Sequence, residues 1–409
     1  MNLALIQKNC LNLWKIYTMT YNFDNVPSRW DTNSYKYDSS PDHEVIPLWV
    51  ADMDFPTAPV VQQAVQKRAQ HPVFGYVKVP ESFYQSTIKW FSYRHGWIIP
   101  RDSFIYTSGV VPAISAIIQG ITKPGDKVLV QTPVYNCFFS SIRNSGCVCV
   151  DSPLVYEENT YHIDFDDFER KISDPSVKVF LMCNPHNPAG RVWTPEELKR
   201  IGDICLKHDV FVISDEIHNE LVMPGYKYTP YASLSKDYME HSAICISPSK
   251  SFNIAGLQIA NIIIANKEIR QLVDKAININ EVCDVNPFGV VALQAAYTSE
   301  GEEWLKQLNC YIASNYELLC EFFKKELPDY HVTKLEGTYL AWINIQASGE
   351  SSEHMEERLL RDYKVWINSG IMYGTEGFIR INLACPRATL MEGLKRIKAG
   401  LTPNSEIHN

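Results

Sequence analysis

Three apolar runs in this chain end in side chains that could do chemistry together. Residues 177–182 lead into Asn184-Pro185-His186-Asn187-Pro188-Ala189-Gly190. Residues 210–213 lead into Ser214-Asp215-Glu216-Ile217-His218, and residues 243–246 into Ser247-Pro248-Ser249-Lys250. If the runs are neighbouring parallel strands, an amide, a carboxylate and a lysine gather at their carboxyl ends, where α/β sheets bind ligands. A lysine is costly to bury unless something neutralises it. A Schiff base to an aldehyde does so and makes the amine a nucleophile and proton carrier. Taken alone, Lys250 reads as an exposed loop lysine; its neighbours shift that reading.

Upstream, Thr107-Ser108-Gly109-Val110-Val111-Pro112-Ala113 predicts a helix start, with proline in the first turn. Its free backbone N–H groups and the helix dipole would favour a phosphate. Many such turns are helix starts and nothing more. No Gly-Lys-Ser/Thr follows, and Gly-x-Gly-x-x-Gly is absent, so this is neither a Walker loop nor a dinucleotide fingerprint. A nucleophilic lysine, a buried acid and a phosphate cradle together point to pyridoxal 5'-phosphate. That cofactor needs an amine for its aldehyde, a carboxylate for its pyridinium nitrogen and an anchor for its phosphate.

The elements that must position these groups follow from the pattern. From about residue 105 to 265, apolar runs at 127–130, 177–182, 210–213, 243–246 and 259–265 alternate with helical segments. The runs are nearly continuous in apolar residues, as strands buried on both faces should be. Between them, Thr194 precedes Pro195, acids fill the first turn and bases follow, which predicts a capped helix. The fold class is therefore α/β: a mostly parallel sheet flanked by helices. Helical patterns over 288–326, strands at 339–345 and 378–383 and a helix at 390–399 predict a smaller α+β domain formed by both chain ends. The expected division is 1–18 as a non-core extension, 19–65 as part of the small domain and the loop at the mouth of the site, 66–295 as the large cofactor domain, 296–400 as the small C-terminal domain and 401–409 as a polar tail.

Composition narrows the classes. A net charge of -9 offers no basic stripe for nucleic acid. No apolar run approaches the length of a membrane span. Eleven dispersed cysteines without a Cys-x-x-Cys pair fit a reducing cytoplasm better than a disulfide framework.

The ordered set of motifs resembles the fold-type I pyridoxal-phosphate enzymes, the aspartate aminotransferase superfamily. Within it the chain is similar to the cystathionine beta-lyase/cystalysin group of C–S lyases. The resemblance runs from about residue 21 to 399. It rests on Pro47-Leu48-Trp49-Val50-Ala51-Asp52-Met53-Asp54-Phe55, Phe74-Gly75-Tyr76, Ser108-Gly109-Val110-Val111-Pro112-Ala113 and Thr132-Pro133-Val134-Tyr135. It continues with Asn187-Pro188-Ala189-Gly190, Ser214-Asp215-Glu216-Ile217-His218, the segment around Lys250, and Phe378-Ile379-Arg380-Ile381-Asn382.

The resemblance implies that Lys250 carries the cofactor and moves the substrate alpha proton. It implies that Asp215 pairs with the pyridinium nitrogen, Asn187 with the phenolic oxygen, and Tyr135 stacks on the ring. Val110 and Val111 would offer backbone N–H groups to the phosphate, joined by the Ser247 hydroxyl, with Ser249 a further candidate. Tyr76 would reach the phosphate from the other subunit of a homodimer. Arg380 would clamp the substrate carboxylate in a bidentate fork. Two positions depart from the pattern. His218 stands where classical aminotransferases carry a tyrosine, and it either tunes the cofactor or packs. Gln258 stands where many members place an arginine, eight residues after the lysine.

Plainer readings stand beside these. Arg380 alone reads equally as a surface ion-pair residue. Tyr76 and Tyr135 alone read as core or interface aromatics. His186 reads as a loop histidine with no role. Trp49 and Asp52 either close the pocket or fix the loop that carries them. The implied activity is beta-elimination on cystathionine or a related cysteine S-conjugate, giving a thiol (homocysteine), pyruvate and ammonia. An aminotransferase of the same fold is the alternative, and a non-enzymatic regulatory module a second.

Overall fold

The computed structural model describes residues 21–279, 281 and 284–402. The expected extension at 1–18 and most of the tail lie outside the described residues.

A seven-stranded sheet organises the larger part of the chain. Its strands are β1 (Phe104–Thr107), β2 (Lys127–Val130), β3 (Val148–Asp151), β4 (Val177–Cys183), β5 (Phe211–Asp215), β6 (Ser242–Ile246) and β7 (Ala260–Ile263). The order across the sheet is β1-β7-β6-β5-β4-β2-β3. All neighbours run parallel except β7, which is antiparallel to β1 and β6. Each apolar run read from the sequence lies on one of these strands. The alternation of side chains explains why the runs look continuous. Val128, Val130, Leu181, Ile213 and Ala243 enter the core on one face. Leu129, Phe180, Met182, Val212 and Ile244 enter the core on the other. Every such fully buried aliphatic side chain contributes roughly 1.5–3 kcal/mol. Strands β1 and β3 lie outside those apolar runs, and β3 has the mixed exposure of an edge strand.

The register matters most at the carboxyl ends. Cys183 pairs with Asp215, and Asp215 with Cys245. Three strands therefore finish level, and the residues that follow them emerge in one row. Helix α1 (Val110–Ile121) packs on α2 (Cys137–Asn144) and α4 (Lys267–Asn278). A side chain at Gly120 would meet the Leu272 carbonyl oxygen at 3.1 Å, so glycine permits the close approach of α1 and α4. Helix α3 (Pro195–Lys207) begins with a capping box. Thr194 Oγ accepts from the Glu197 N–H, and the Glu197 carboxylate accepts from the Thr194 N–H at 2.8 Å.

A second, antiparallel sheet has the order β8-β9-β11-β10, from β8 (His331–Val332), β9 (Leu340–Asn344), β10 (Asn368–Ser369) and β11 (Phe378–Asn382). Helices α5 (Ser299–Glu326) and α6 (Ser352–Tyr363) contact its strands. The N-terminal part of the chain joins this body, since Ile46–Pro47 pairs in parallel with Val365–Trp366. The stretch from Trp49 to Met53 then crosses from the small sheet to the carboxyl ends of the large one.

Candidate active site

A cavity of about 190 Å³ opens where β4, β5 and β6 end against the N-terminus of α1. Lys250, Asp215, Asn187, Tyr135, His218, Val110 and Val111 all line it, with Ser108, Ser249, Gln258 and Ala51.

Asp215 is the last residue of β5 and is 3% exposed. The Ile217 N–H donates to its Oδ1 at 3.1 Å. Burial pushes its carboxyl up to about 7, against the pull of that hydrogen bond and of the Lys250 charge. Lys250 follows β6 in a turn. Burial lowers its amine, with Arg380 pushing the same way and Asp52 and Asp215 opposing. The amine donates to the Ala51 carbonyl oxygen at 2.6 Å. Lys250 is therefore held by the Trp49–Met53 stretch and not by a carboxylate.

Helix α1 presents an uncapped N-terminus to the cavity. Gly109 supplies no side-chain cap, and no acid lies in the first turn. The N–H groups of Val110 and Val111 have no partners within the helix, as first-turn donors never do. Gly109 itself is extended, with φ 170, so its backbone makes no demand for glycine. What the glycine does is leave the helix end uncovered.

Asn187 is buried, and its Oδ1 accepts from Arg380 Nη1 at 3.3 Å. Burial raises the Tyr135 phenol, and the neighbouring Cys137 thiol and Asp215 charge push it the same way. His218 is buried with Nδ1 unpartnered. Burial, then the Lys250 and Arg380 charges, hold its imidazole well below the usual range, so it is neutral.

Arg380 lies at the centre of β11, 4% exposed. Its Nη2 donates to the Trp49 carbonyl at 2.8 Å and to Asn368 Oδ1 at 2.9 Å. Its Nε has no partner. Among the described residues no carboxylate pairs with it. A surface ion-pair role is thereby ruled out: the guanidinium is buried and without a counter-anion.

Ser247 corrects an expectation. Its hydroxyl donates to the Ile259 carbonyl at 2.7 Å and accepts from the Ser249 N–H at 3.0 Å. It therefore braces the turn, and Ser249 lines the cavity in its place. Tyr76 is 97% exposed and lines no part of the cavity of its own chain. His186 is a core residue, edge-on to Trp193, and burial takes its imidazole down to about 3. Trp49 stacks on Trp366 at 4.1 Å and donates its indole N–H to the Lys36 carbonyl. Asp52 pairs with Arg29 at 2.6 Å. Both side chains brace the stretch that carries them.

Several residues without an assigned part in the sequence reading hold that same stretch. Asn382 Nδ2 donates to the carbonyls of Val50 and Asp52, each at 2.6 Å. Asn253 Nδ2 donates to those of Met53 and Phe55 at 2.9 and 2.8 Å. The Tyr339 hydroxyl donates to Ala51 at 2.9 Å. Asn382 had a signal: it lies two residues from Arg380 on one strand, hence on the same face. Tyr339 had none.

Residues 43–397 match the model of the aminotransferase class I and II family. The chain belongs to that family. Among its aminotransferase-class relatives, cystathionine beta-lyase PatB of Bacillus subtilis is 41% identical over 387 residues, covering 93% of this chain and all of the relative. Protein MalY of Escherichia coli is 30% identical, over 90% of this chain and 93% of its own. The structure of cystalysin from Treponema denticola, which contains pyridoxal 5'-phosphate, superposes with a TM-score of 0.90 at 36% identity, over 94% of this chain and 99% of that one. The pyridoxal-phosphate-bound C–S lyase of Staphylococcus hominis gives 0.88 at 36%, over 94% and 100%.

Proposed function

We propose that this aminotransferase-class protein is a pyridoxal-phosphate-dependent C–S lyase. It removes the thiol from the beta carbon of cystathionine or a related cysteine S-conjugate, yielding pyruvate and ammonia after hydrolysis. One observation carries the choice of lyase: the 41% identity to cystathionine beta-lyase PatB extends over that protein's whole length.

The residues around the cavity fit the cofactor. A buried carboxylate without a cation at ion-pair distance, an uncapped helix N-terminus and a buried amine with a lowered pKa make a complementary donor set. Lys250 would take the aldehyde, Asp215 the ring nitrogen and Asn187 the phenolic oxygen. Tyr135 would cover one ring face. The Val110 and Val111 N–H groups and the Ser249 hydroxyl would hold the phosphate. His218, neutral and buried, would pack beside the ring without adding charge. Bound there, the cofactor supplies an electron sink that makes the substrate alpha proton acidic.

The chain's own groups do the rest. Arg380 exchanges the Trp49 and Asn368 oxygens for the substrate carboxylate, which neutralises a buried charge. The Lys250 amine, once free, takes the alpha proton. The carbon–sulfur electron pair leaves with the thiolate. Water then converts the three-carbon remainder to pyruvate and ammonia. For cystathionine the balance is one water consumed and homocysteine, pyruvate and ammonia formed.

The assembly is part of the same proposal. Tyr76 protrudes with Val73 and Phe74, also exposed, and this apolar projection supports a homodimer in which Tyr76 reaches the other subunit's phosphate site. Residues 66–295 would form the cofactor domain, and 19–65 with 296–400 the smaller one. Among the described residues no helix is long and apolar enough to cross a membrane. The described cysteines are free, which supports a cytoplasmic setting.

The test is product analysis. Purified protein with pyridoxal phosphate and L-cystathionine, and no keto acid, should release pyruvate, ammonia and homocysteine in equal amounts. Turnover that requires an added keto acid would make it an aminotransferase instead.

A further inference from the structure

Tyr339 is buried, and its hydroxyl donates to the Ala51 carbonyl oxygen at 2.9 Å. The Lys250 amine donates to that same oxygen at 2.6 Å. An amide oxygen has two lone pairs, so these two donors saturate it. We propose that Tyr339 is a positioning residue for Lys250, acting through the Ala51 carbonyl. The inference rests on Lys250 being the cofactor-bearing lysine.

The backbone around Tyr339 is set for this task. Thr338 has φ 71, in the left-handed region that a β-branched residue rarely adopts. Its N–H donates to the Leu221 carbonyl at 2.7 Å, and its hydroxyl accepts from the Leu340 N–H at 3.1 Å. Strain of this kind persists where surrounding contacts over-determine it, and it clusters at functional sites. The strained residue aims Tyr339 at one carbonyl oxygen.

Two consequences follow for the lysine. The acceptor that parks its amine is held in place when the amine swings away and returns. That acceptor is also weakened toward an ammonium, because the phenol already draws on it. Tyr339 thereby favours the free amine, the form that attacks an aldehyde and removes a proton. The other charged or titratable groups facing Lys250 are Asp52, Asp215, Arg380, Cys137 and His218, and none is altered in the variants below.

The experiment reads the lysine without turnover. Cofactor-free protein is mixed with pyridoxal phosphate across a pH series and reduced with borohydride, and the Lys250 adduct is measured by peptide mass. In Tyr339→Phe the pH midpoint of capture should rise by about half to one unit, the worth of one modest hydrogen bond. Tyr373→Phe removes another buried phenol, whose hydroxyl goes to Asn368 at 3.3 Å, and should leave the midpoint unmoved. Replacing Tyr339 with 3-fluorotyrosine keeps the packing but strengthens the donor, and should lower the midpoint even if the Phe variant fails to fold. An unmoved midpoint in the fluorinated protein, or equal shifts in the two Phe variants, would overturn the inference. No Lys250 adduct in the parent protein would instead overturn the cofactor assignment beneath it.

Discussion

Two groups of buried charge flank the Trp49–Met53 stretch, and they are treated in opposite ways. On one side Lys36, 1% exposed, meets Asp54 at 2.8 Å, while Arg29 reaches Asp52 at 2.6 Å and Asp54 at 3.2 Å. Each charge there has an opposite partner. On the other side Asp215 and Arg380 are buried and Lys250 is half-buried, yet they rest on backbone carbonyls, an amide or a single N–H. The saturated group anchors the chain. The unsaturated group is kept for ligands, and the destabilisation of leaving it unpaired is offset elsewhere in the fold.

The sharpest way to break this contrast is to remove the two lysines separately. Lys250→Ala should abolish the borohydride-stable adduct and lower turnover by about 10³-fold or more, without loss of stability. An adduct formed on another lysine would refute the assignment. Lys36→Met should do the reverse. Leaving Asp54 with only its longer contact to Arg29 should destabilise the fold by up to about 3–5 kcal/mol, read from urea unfolding. If both variants lose the same stability, the two groups do not differ as described.

Arg380→Ala tests whether the unpaired guanidinium is reserved for substrate. Loss of a charged clamp should lower kcat/KM by about 10- to 100-fold, mainly through KM. A graded effect concerns Asp215 in the cofactor-free protein. Its folded carboxyl, near 7, lies above its unfolded value, so the folded state binds the extra proton between about pH 4 and 7. The stability that Asp215 contributes is full below that window and is lost as pH rises through 7. Asp215→Asn should therefore gain on the parent by up to about 1.4 kcal/mol per pH unit across the window, and level off above it. Denaturant melts at pH 5, 6, 7 and 8 would show this slope or its absence.

The legible part of the molecule was the part governed by local pattern. Strands buried on both faces advertise themselves as unbroken apolar runs, and the polar residues that end them stand out. Thr194 and Pro195 marked a helix start in the same way. What stayed hidden depends on distant pairing or on turn geometry. Ser247 and Ser249 are equivalent by type, and only the hydrogen bond to Ile259 decides which one turns away from the cavity. Lys36 and Asp54 are ordinary charges until the chain folds them together. Tyr339 looks like any aromatic in a strand, because its partner lies far away at Ala51.

The level finish of Cys183, Asp215 and Cys245 also constrains how this molecule can change over generations. Side chains in a strand alternate between faces, so deleting one residue within β5 would swing the carboxylate to the wrong side and bring apolar neighbours into its place. Lengthening a connection at the amino ends of the strands would leave the row untouched. Insertions and deletions should therefore accumulate at one rim of the sheet and be purged from the other, so that descent itself draws the outline of the catalytic edge.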